Sequence, residues 1–118
     1  MATTSQFQSV VCSDLTVVIA DSATVSSAAD LNGTTLVGID IPAGFDGTAM
    51  TFQVSSDGVT YYTYKKLADG LAVTAVVGAN ASYATVPTDF AGYRFIKLVA
   101  GTAQTGAITI TLKTIPVK

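Results

Sequence analysis

The segment that most constrains the fold of this chain is residues 48–64, TAMTFQVSSDGVTYYTY. Met50, Phe52 and Val54 alternate with polar residues, which is the period of a strand with one buried face. Ser-Asp-Gly then supplies a turn, because Asp bonds back to its own backbone and Gly accepts a positive φ without steric cost. The run after the turn is rich in Val, Thr and Tyr, which favour strands. The sequence therefore predicts a β-hairpin, and the hairpin indicates an all-β class.

The rest of the chain continues in short strand-like runs that are divided by turn residues. All eight acidic residues are Asp, which favours turns, and Glu, which favours helix interiors, is absent. Residues 25–32, rich in Ser and Ala, carry no clear pattern. Beside the two runs of the hairpin, strands are predicted at residues 15–20, 35–41, 72–77, 82–86, 93–99 and 107–115. Residues 15–20 are apolar on both faces, which predicts a central or covered strand, whereas residues 37, 39 and 41 share one face and residues 108, 110 and 112 are predicted to face inward. Residues 67–71 are predicted to form a turn, and Phe90 is expected to point inward. This pattern predicts a two-sheet antiparallel β-sandwich, and it favours an eight-stranded jelly roll over an immunoglobulin-like sandwich.

A single domain is expected, because 118 residues suffice for one hydrophobic core. We predict that it spans residues 15–118 and follows a short N-terminal arm over residues 1–14. The arm is small and polar apart from Phe7, Val10 and Val11, and we expect it either to be loose or to dock on a neighbouring chain through these side chains. Hydrophobic residues make up 49% of the chain and charged residues only 12%. Two interpretations stay open: other chains cover part of the surface, or the outer faces of the sheets carry Thr, Ser and Ala in place of charged residues.

Few residues of the chain could carry out chemistry. The sequence has no His and a single Cys, Cys12. This excludes Ser-His-Asp and Cys-His catalysis, a His or thiolate zinc site, and a disulfide within the chain. The Asp residues are explained by turns. We therefore predict no catalytic residue, no metal site and no cofactor, and we do not expect an enzyme.

Charge and hydropathy argue against nucleic acids and membranes as partners. The formal net charge is −2, and the six basic residues are scattered, so no nucleic-acid partner is expected. No apolar run approaches the ~20 residues that span a bilayer, so no membrane partner is expected. The N-terminal residues lack the pattern of a signal peptide, which favours synthesis in a cytoplasm.

Tyr61 and Tyr62 are candidates for a different kind of contact, since aromatic faces stack on sugar rings. In a strand Tyr62 and Tyr64 lie on one face and Tyr61 lies on the other. Alternating aromatic residues also serve as core and cross-strand pairs, and this second interpretation is favoured for the run. Carbohydrate binding stays open as the alternative.

Two resemblances follow from these residues. Residues 52–61 resemble the strand–turn–strand of galactose-binding-like jelly rolls, and residues 92–98 resemble a later strand of those domains. The likeness covers about a quarter of the chain and implies a fold more than a ligand. The alternative function is that of a carbohydrate-binding module, with Tyr61 and Tyr62 as sugar contacts.

A longer phrase, residues 41–55 together with residues 89–92, resembles small structural proteins of tailed bacteriophages. This resemblance implies a virion component, and the preferred interpretation is a capsid decoration (cement) protein, made in the host cytoplasm. It implies the phage major capsid protein as partner and a homotrimer on the outer head. Phe7, Val10 and Val11 would then clamp the arm to the capsid or to a neighbouring subunit. A tail or baseplate location stays open, and under the alternative the carbohydrate-binding module belongs to a phage tail fibre or host-recognition component.

Overall fold

The computed structural model of the protein describes residues 13–116, and this part of the chain is built from strands and loops. Residues 13–116 include no helix with the length and hydropathy of a membrane span. The strands are β1 (Ser13–Ile19), β2 (Ala29–Asp30), β3 (Thr34–Ile41), β4 (Ala49–Ser55), β5 (Tyr62–Thr63), β6 (Ala75–Val76), β7 (Ala81–Ala84), β8 (Phe95–Ala100) and β9 (Ile108–Pro116).

The strands form two antiparallel sheets that pack as a sandwich. The β1 sheet has the order β1-β9-β3-β7, and the β2 sheet has the order β2-β8-β4-β5, with β6 also paired to β4. Strands from opposite ends of the chain pair in a nested way: β1 with β9, β2 with β8, β3 with β7 and β4 with β5. A long antiparallel ribbon that is folded across two sheets gives this nesting, which is the jelly-roll topology. The predicted sandwich and jelly roll are confirmed.

The ninth strand arises because one strand of the jelly roll is interrupted. Along β4, Met50 and Gln53 are three residues apart, whereas their partners Ala75 and Thr63 are twelve residues apart. Nine residues are therefore inserted between two halves of one edge strand, β5 and β6. This explains why the eight-strand prediction gives the right topology although nine strands are present.

The nine inserted residues, 65–73, form a hairpin that has Tyr64 at its base, and we call residues 64–73 the inserted hairpin. The amide of Val73 donates to the carbonyl of Tyr64 at 2.9 Å, and the amide of Lys66 donates to the carbonyl of Leu71 at 2.9 Å. The tip closes through Gly70, whose φ of +71° lies in the left-handed region that glycine adopts at low cost. Residues 67–71 predict the turn, but no local pattern indicates that it extends beyond the sheet.

The core lies between the two sheets and follows the predicted alternation in most strands. Met50, Phe52 and Val54 of β4 are buried. Ile108, Ile110 and Leu112 of β9 were predicted to face inward, and they do. Phe90, in the connection before β8, also enters the core as predicted.

Strand β3 departs from the predicted alternation. The sequence pattern placed Val37, Ile39 and Ile41 on one face, but the register with β9 shifts between Leu36 and Gly38. A β-bulge at this point changes the face of the residues that precede it. Leu36 therefore joins Ile39 and Ile41 in the core, while Val37 is only half-buried.

Candidate interaction surface

Strand β1 is described from Ser13 onward, and its first two residues, Ser13 and Asp14, pair with Thr114 and Lys113 of β9. The arm over residues 1–14 stays a prediction, because residues 1–12 lie outside the described part of the chain. The carbonyl of Ser13 accepts a hydrogen bond from Oγ1 of Thr114 at 2.9 Å, which fixes the start of β1 against β9. Phe7, Val10 and Val11, the predicted contacts of the arm, lie outside the described residues.

The turn at Asp57 is a structural element. Its Oδ1 accepts hydrogen bonds from the amides of Val59 at 2.9 Å and Thr60 at 3.0 Å, and from Oγ of Ser55 at 3.0 Å. These bonds, led by the Val59 amide, hold the pKa of the Asp57 carboxyl below its usual value. A carboxylate engaged in this way closes the β4–β5 hairpin, as the sequence predicted for the turn.

Tyr61 and Tyr62 do not form one aromatic platform. The Nζ of Lys97 lies 4.2 Å from the centre of the Tyr61 ring, a cation–π contact on the outer side of the β2 sheet. Burial raises the pKa of the Tyr61 hydroxyl. Tyr62 pairs with the inward-facing Val54, yet it is 68% exposed because β5 lies at the edge of the sheet. It borders a shallow depression together with Asp57, Thr60 and Tyr93. Each tyrosine could therefore contact a sugar only separately.

Tyr64, the third tyrosine of the run, belongs to an aromatic cluster under the sheet edge. Its ring centre lies 5.1 Å from that of Phe90 and 5.8 Å from that of Tyr93, and Phe90 lies 5.1 Å from Phe52. The Tyr64 hydroxyl donates to the carbonyl of Asp89 at 2.6 Å. Burial raises the pKa of this hydroxyl. The cluster thus fixes the connection before β8 against the base of the inserted hairpin.

Several charged side chains of residues 13–116 form ion pairs on the surface. Arg94 donates to both carboxylate oxygens of Asp30 at 3.0 and 3.1 Å, and this hydrogen bonding lowers the pKa of Asp30. On the β1 sheet, Nζ of Lys113 lies 3.1 Å from Asp14 and 3.6 Å from Asp40, and the bond to Asp14 raises the pKa of Lys113. Among residues 13–116, no three acidic, His or Cys side chains come close enough to hold a metal ion.

Exposed apolar side chains are concentrated in one part of the chain. Of the eight large hydrophobic side chains that are exposed within residues 13–116, six belong to the connection between β4 and β8. They are Val59, Tyr62, Leu67, Leu71, Val76 and Val86. Leu67, at the tip of the inserted hairpin, is 102% exposed. The sequence analysis missed this surface, although the Leu residues that flank Ala-Asp-Gly in a turn were a signal for it.

An apolar groove of about 290 Å³ lies beside the inserted hairpin, at the open edge of the sandwich. We call it the edge groove. Its lining includes Val73, Val76 and Val86 together with Phe52 and Phe90 of the core. The carboxylate-bearing residue at its rim is Asp89, which also lines the depression next to the hairpin. The groove and the hairpin therefore form one continuous surface at which apolar side chains are left uncovered.

No known protein family and no curated protein sequence matches this chain. Among solved structures, the chain is similar to the SPBc2 prophage-derived protein YomS, at 11% identity and a TM-score of 0.54, over 89% of this chain and 95% of that one. A second solved structure comes from Bacillus endospore appendages described as disulfide-linked pili, at 14% identity and a TM-score of 0.42, over 92% and 89% of the two chains. The likeness to YomS spans almost the whole of both chains and is a likeness of fold.

Proposed function

We propose that this chain is a structural protein of a phage particle that decorates the outer head and stabilises contacts between major capsid subunits. The observation that carries the proposal is the likeness of fold to a prophage-derived protein over nearly the full length of both chains. The phrase at residues 41–55, which resembles phage structural proteins, supports it from the sequence.

The surface of the protein suits this role. A decoration protein works by burying apolar area against other chains, and the exposed side chains of the β4–β8 connection supply such area. Modest contacts gain strength when the symmetry of a particle repeats them. In this proposal the protein needs no cofactor and catalyses no reaction. The N-terminal arm, through Phe7, Val10 and Val11, clamps the subunit to the capsid.

Cryo-electron microscopy of particles from the phage that encodes the chain tests the location. We expect density for the sandwich on the outer head at repeated positions. Density in the tail, or absence of the protein from purified particles, would rule out decoration. Deletion of residues 2–12 tests the clamp without removing Ser13, which pairs in β1. We expect this variant to fold as the full chain does and to lose binding to heads, and unchanged binding would refute the clamp.

One observation favours a second function, carbohydrate binding on a tail fibre. The 68% exposed ring of Tyr62 borders a depression that also contains Asp57 and Tyr93, so an aromatic face and a carboxylate are close together. A glycan array with the full chain and a Tyr62→Ala variant distinguishes the two functions. Binding that the variant loses would support a sugar site. Binding that it keeps, or no binding, would exclude Tyr62 as a sugar contact.

A further inference from the structure

The turn between β2 and β3 places an amide side chain next to an uncrowded backbone amide. The N–H of Thr34 donates to the carbonyl of Leu31 at 3.0 Å, and the two residues between them, Asn32 and Gly33, have φ of +39° and +83°. Positive φ at both central residues is typical of a type I′ turn, for which Asn-Gly is a preferred pair. Both residues are exposed, and a Cβ at Gly33 would meet no atom within 4 Å. The peptide bond between them is therefore open to water and to the neighbouring side chain.

This step differs from the other steps at which a glycine follows Asp or Asn. Asp-Gly occurs at residues 46–47, 57–58 and 69–70. The amides of Gly58 and Gly70 donate hydrogen bonds at 2.9 and 2.8 Å, whereas the amide of Gly33 has no acceptor within residues 13–116. Asp side chains are also ionised at neutral pH, and a carboxylate is a poorer electrophile than a neutral carboxamide. Asn32 is therefore the side chain that its following glycine can attack most readily.

We propose that Asn32 is a site of spontaneous modification in the folded protein. The backbone nitrogen of Gly33 attacks Cγ of Asn32. A bond forms between these two atoms, the Cγ–Nδ2 bond breaks, and the proton of the Gly33 amide leaves with the ammonia. A water molecule then opens the succinimide ring, either to aspartate or to isoaspartate, in which the main chain runs through Cγ. The inference rests on the chemistry of this turn and does not depend on the capsid role.

The isoaspartyl product changes the connection that anchors β2. The amide of Leu31, whose side chain is buried, donates to the carbonyl of Arg94 at 2.6 Å, and Arg94 binds both carboxylate oxygens of Asp30. Strand β2 itself has only two residues in the sheet. An additional main-chain carbon after Leu31 removes the geometry of the turn and its hydrogen bond from Thr34. Isoaspartate therefore loosens an edge strand of the β2 sheet, whereas aspartate leaves the main chain unchanged.

Mass spectrometry of the folded full chain after incubation in mildly alkaline buffer tests the site. The matched control is Asn80, which is also exposed and has a φ of +59°, but which is followed by Ala81. Trypsin separates the two asparagines, because Lys65 and Lys66 lie between them. Isotopically labelled water marks the product formed during incubation and not during digestion. We expect Asn32 to convert at least about fivefold faster than Asn80, the factor that corresponds to the conformational freedom of glycine over alanine.

Two variants test the proposed chemistry. Gly33→Ala should slow the mass increase of about 1 Da by the same factor, and Asn32→Gln should abolish it, because the larger ring closes much more slowly. Asn32→Gln also serves alone if Gly33→Ala does not fold. Equal conversion of Asn32 and Asn80, conversion of Asn32 only after unfolding in urea, or an unchanged mass increase in Asn32→Gln would overturn the proposal.

Thermal unfolding tests the effect on β2. Anion exchange separates the products, which carry an added negative charge, and labelling by an isoaspartyl methyltransferase identifies the isoaspartyl form. We expect this form to melt about 5 °C below the unmodified chain, the shift that follows from losing one hydrogen bond of the turn. Asn32→Asp carries the same charge on a normal main chain and should stay within about 2 °C of the unmodified chain. An isoaspartyl form that melts with the unmodified chain would refute the effect on β2.

Discussion

Deleting residues 65–73 should leave a folded jelly roll with a continuous edge strand. The deletion removes the nine residues by which the partners of Met50 and Gln53 are displaced, and it joins Tyr64 to Thr74. Thr74 then lies opposite Thr51, while Ala75 keeps its partner Met50. Because antiparallel pairing fixes which face each side chain takes, an unchanged register keeps Val77 in the core.

The expected change in the free energy of unfolding is small because two effects oppose each other. Loss of the half-buried Val73 costs about 1 kcal/mol, roughly half the value of a fully buried aliphatic side chain. Removal of a nine-residue excursion avoids a loop-closure entropy of about 2 kcal/mol, taking (3/2)RT ln n. The melting temperature should therefore stay within about 5 °C of that of the full chain.

Deletion of residues 65–72, one residue fewer, is the matched control. It shifts β6 by one position, so Val76 replaces Val77 in the core, and Thr74 takes the place of Ala75 opposite Met50 and turns its hydroxyl inward. Because one valine replaces another, the cost comes from the buried hydroxyl, and we expect this variant to be about 2 kcal/mol less stable than the nine-residue deletion, or roughly 8 °C lower in melting temperature. Far-ultraviolet circular dichroism during heating and urea titration measures both variants. An unfolded nine-residue deletion, or equal stability of the two deletions, would refute the interpretation of β5 and β6 as one strand.

Three further predictions concern the loops. The buried side chain of Gln104 binds the backbone amide and carbonyl of Asp46 at 2.9 and 2.8 Å. Gln104→Ala should therefore lower the free energy of unfolding, measured in urea, by about 2 kcal/mol, and a loss below 0.5 kcal/mol would contradict this. Gly58→Ala should cost about 1–2 kcal/mol in the same assay, because φ is +79° and a Cβ would lie 3.1 Å from the Phe95 ring; a neutral result would be evidence against strain. The pKa of Asp57 is lowered by amide hydrogen bonds, so its contribution to stability is present above the unfolded value near 3.8 and is lost as the pH falls through the folded value. Asp57→Asn should remove part of the stability loss between pH 5 and pH 2 in thermal melts, and an identical pH profile would contradict this.

Local chemistry explains the parts of the fold that could be predicted from the sequence. The Asp57-Gly58 turn was recognisable because both residues have specific roles in a tight turn, and the structure uses them in those roles. The alternation in β4 and β9 was recognisable because each has one face in the core. These signals depend only on neighbouring residues, so a single sequence reveals them.

The parts that could not be predicted depend on contacts between distant residues. The bulge in β3 is defined by its register with β9, which lies far along the chain. Strand β2 has only two residues, and its pairing with β8 leaves no period to detect. Strand β1 has apolar residues on both faces, which suggested a central or covered strand, but it lies at the edge of its sheet and Val18 is exposed. The edge groove could not be predicted from the sequence either, because several separate segments of the chain line it.

The sheet needs the pairing of β4 with β5 and β6, whereas the inserted hairpin between β5 and β6 can vary in sequence and length. The two ends of the insertion are joined by the 2.9 Å bond between Val73 and Tyr64, so they leave and re-enter the sheet as neighbours. A segment of another length or sequence whose ends also meet could occupy the same place without moving β4 or β6. Related chains could therefore acquire new binding specificity by exchanging this segment, and a foreign peptide grafted between Tyr64 and Thr74 would be displayed at the sheet edge.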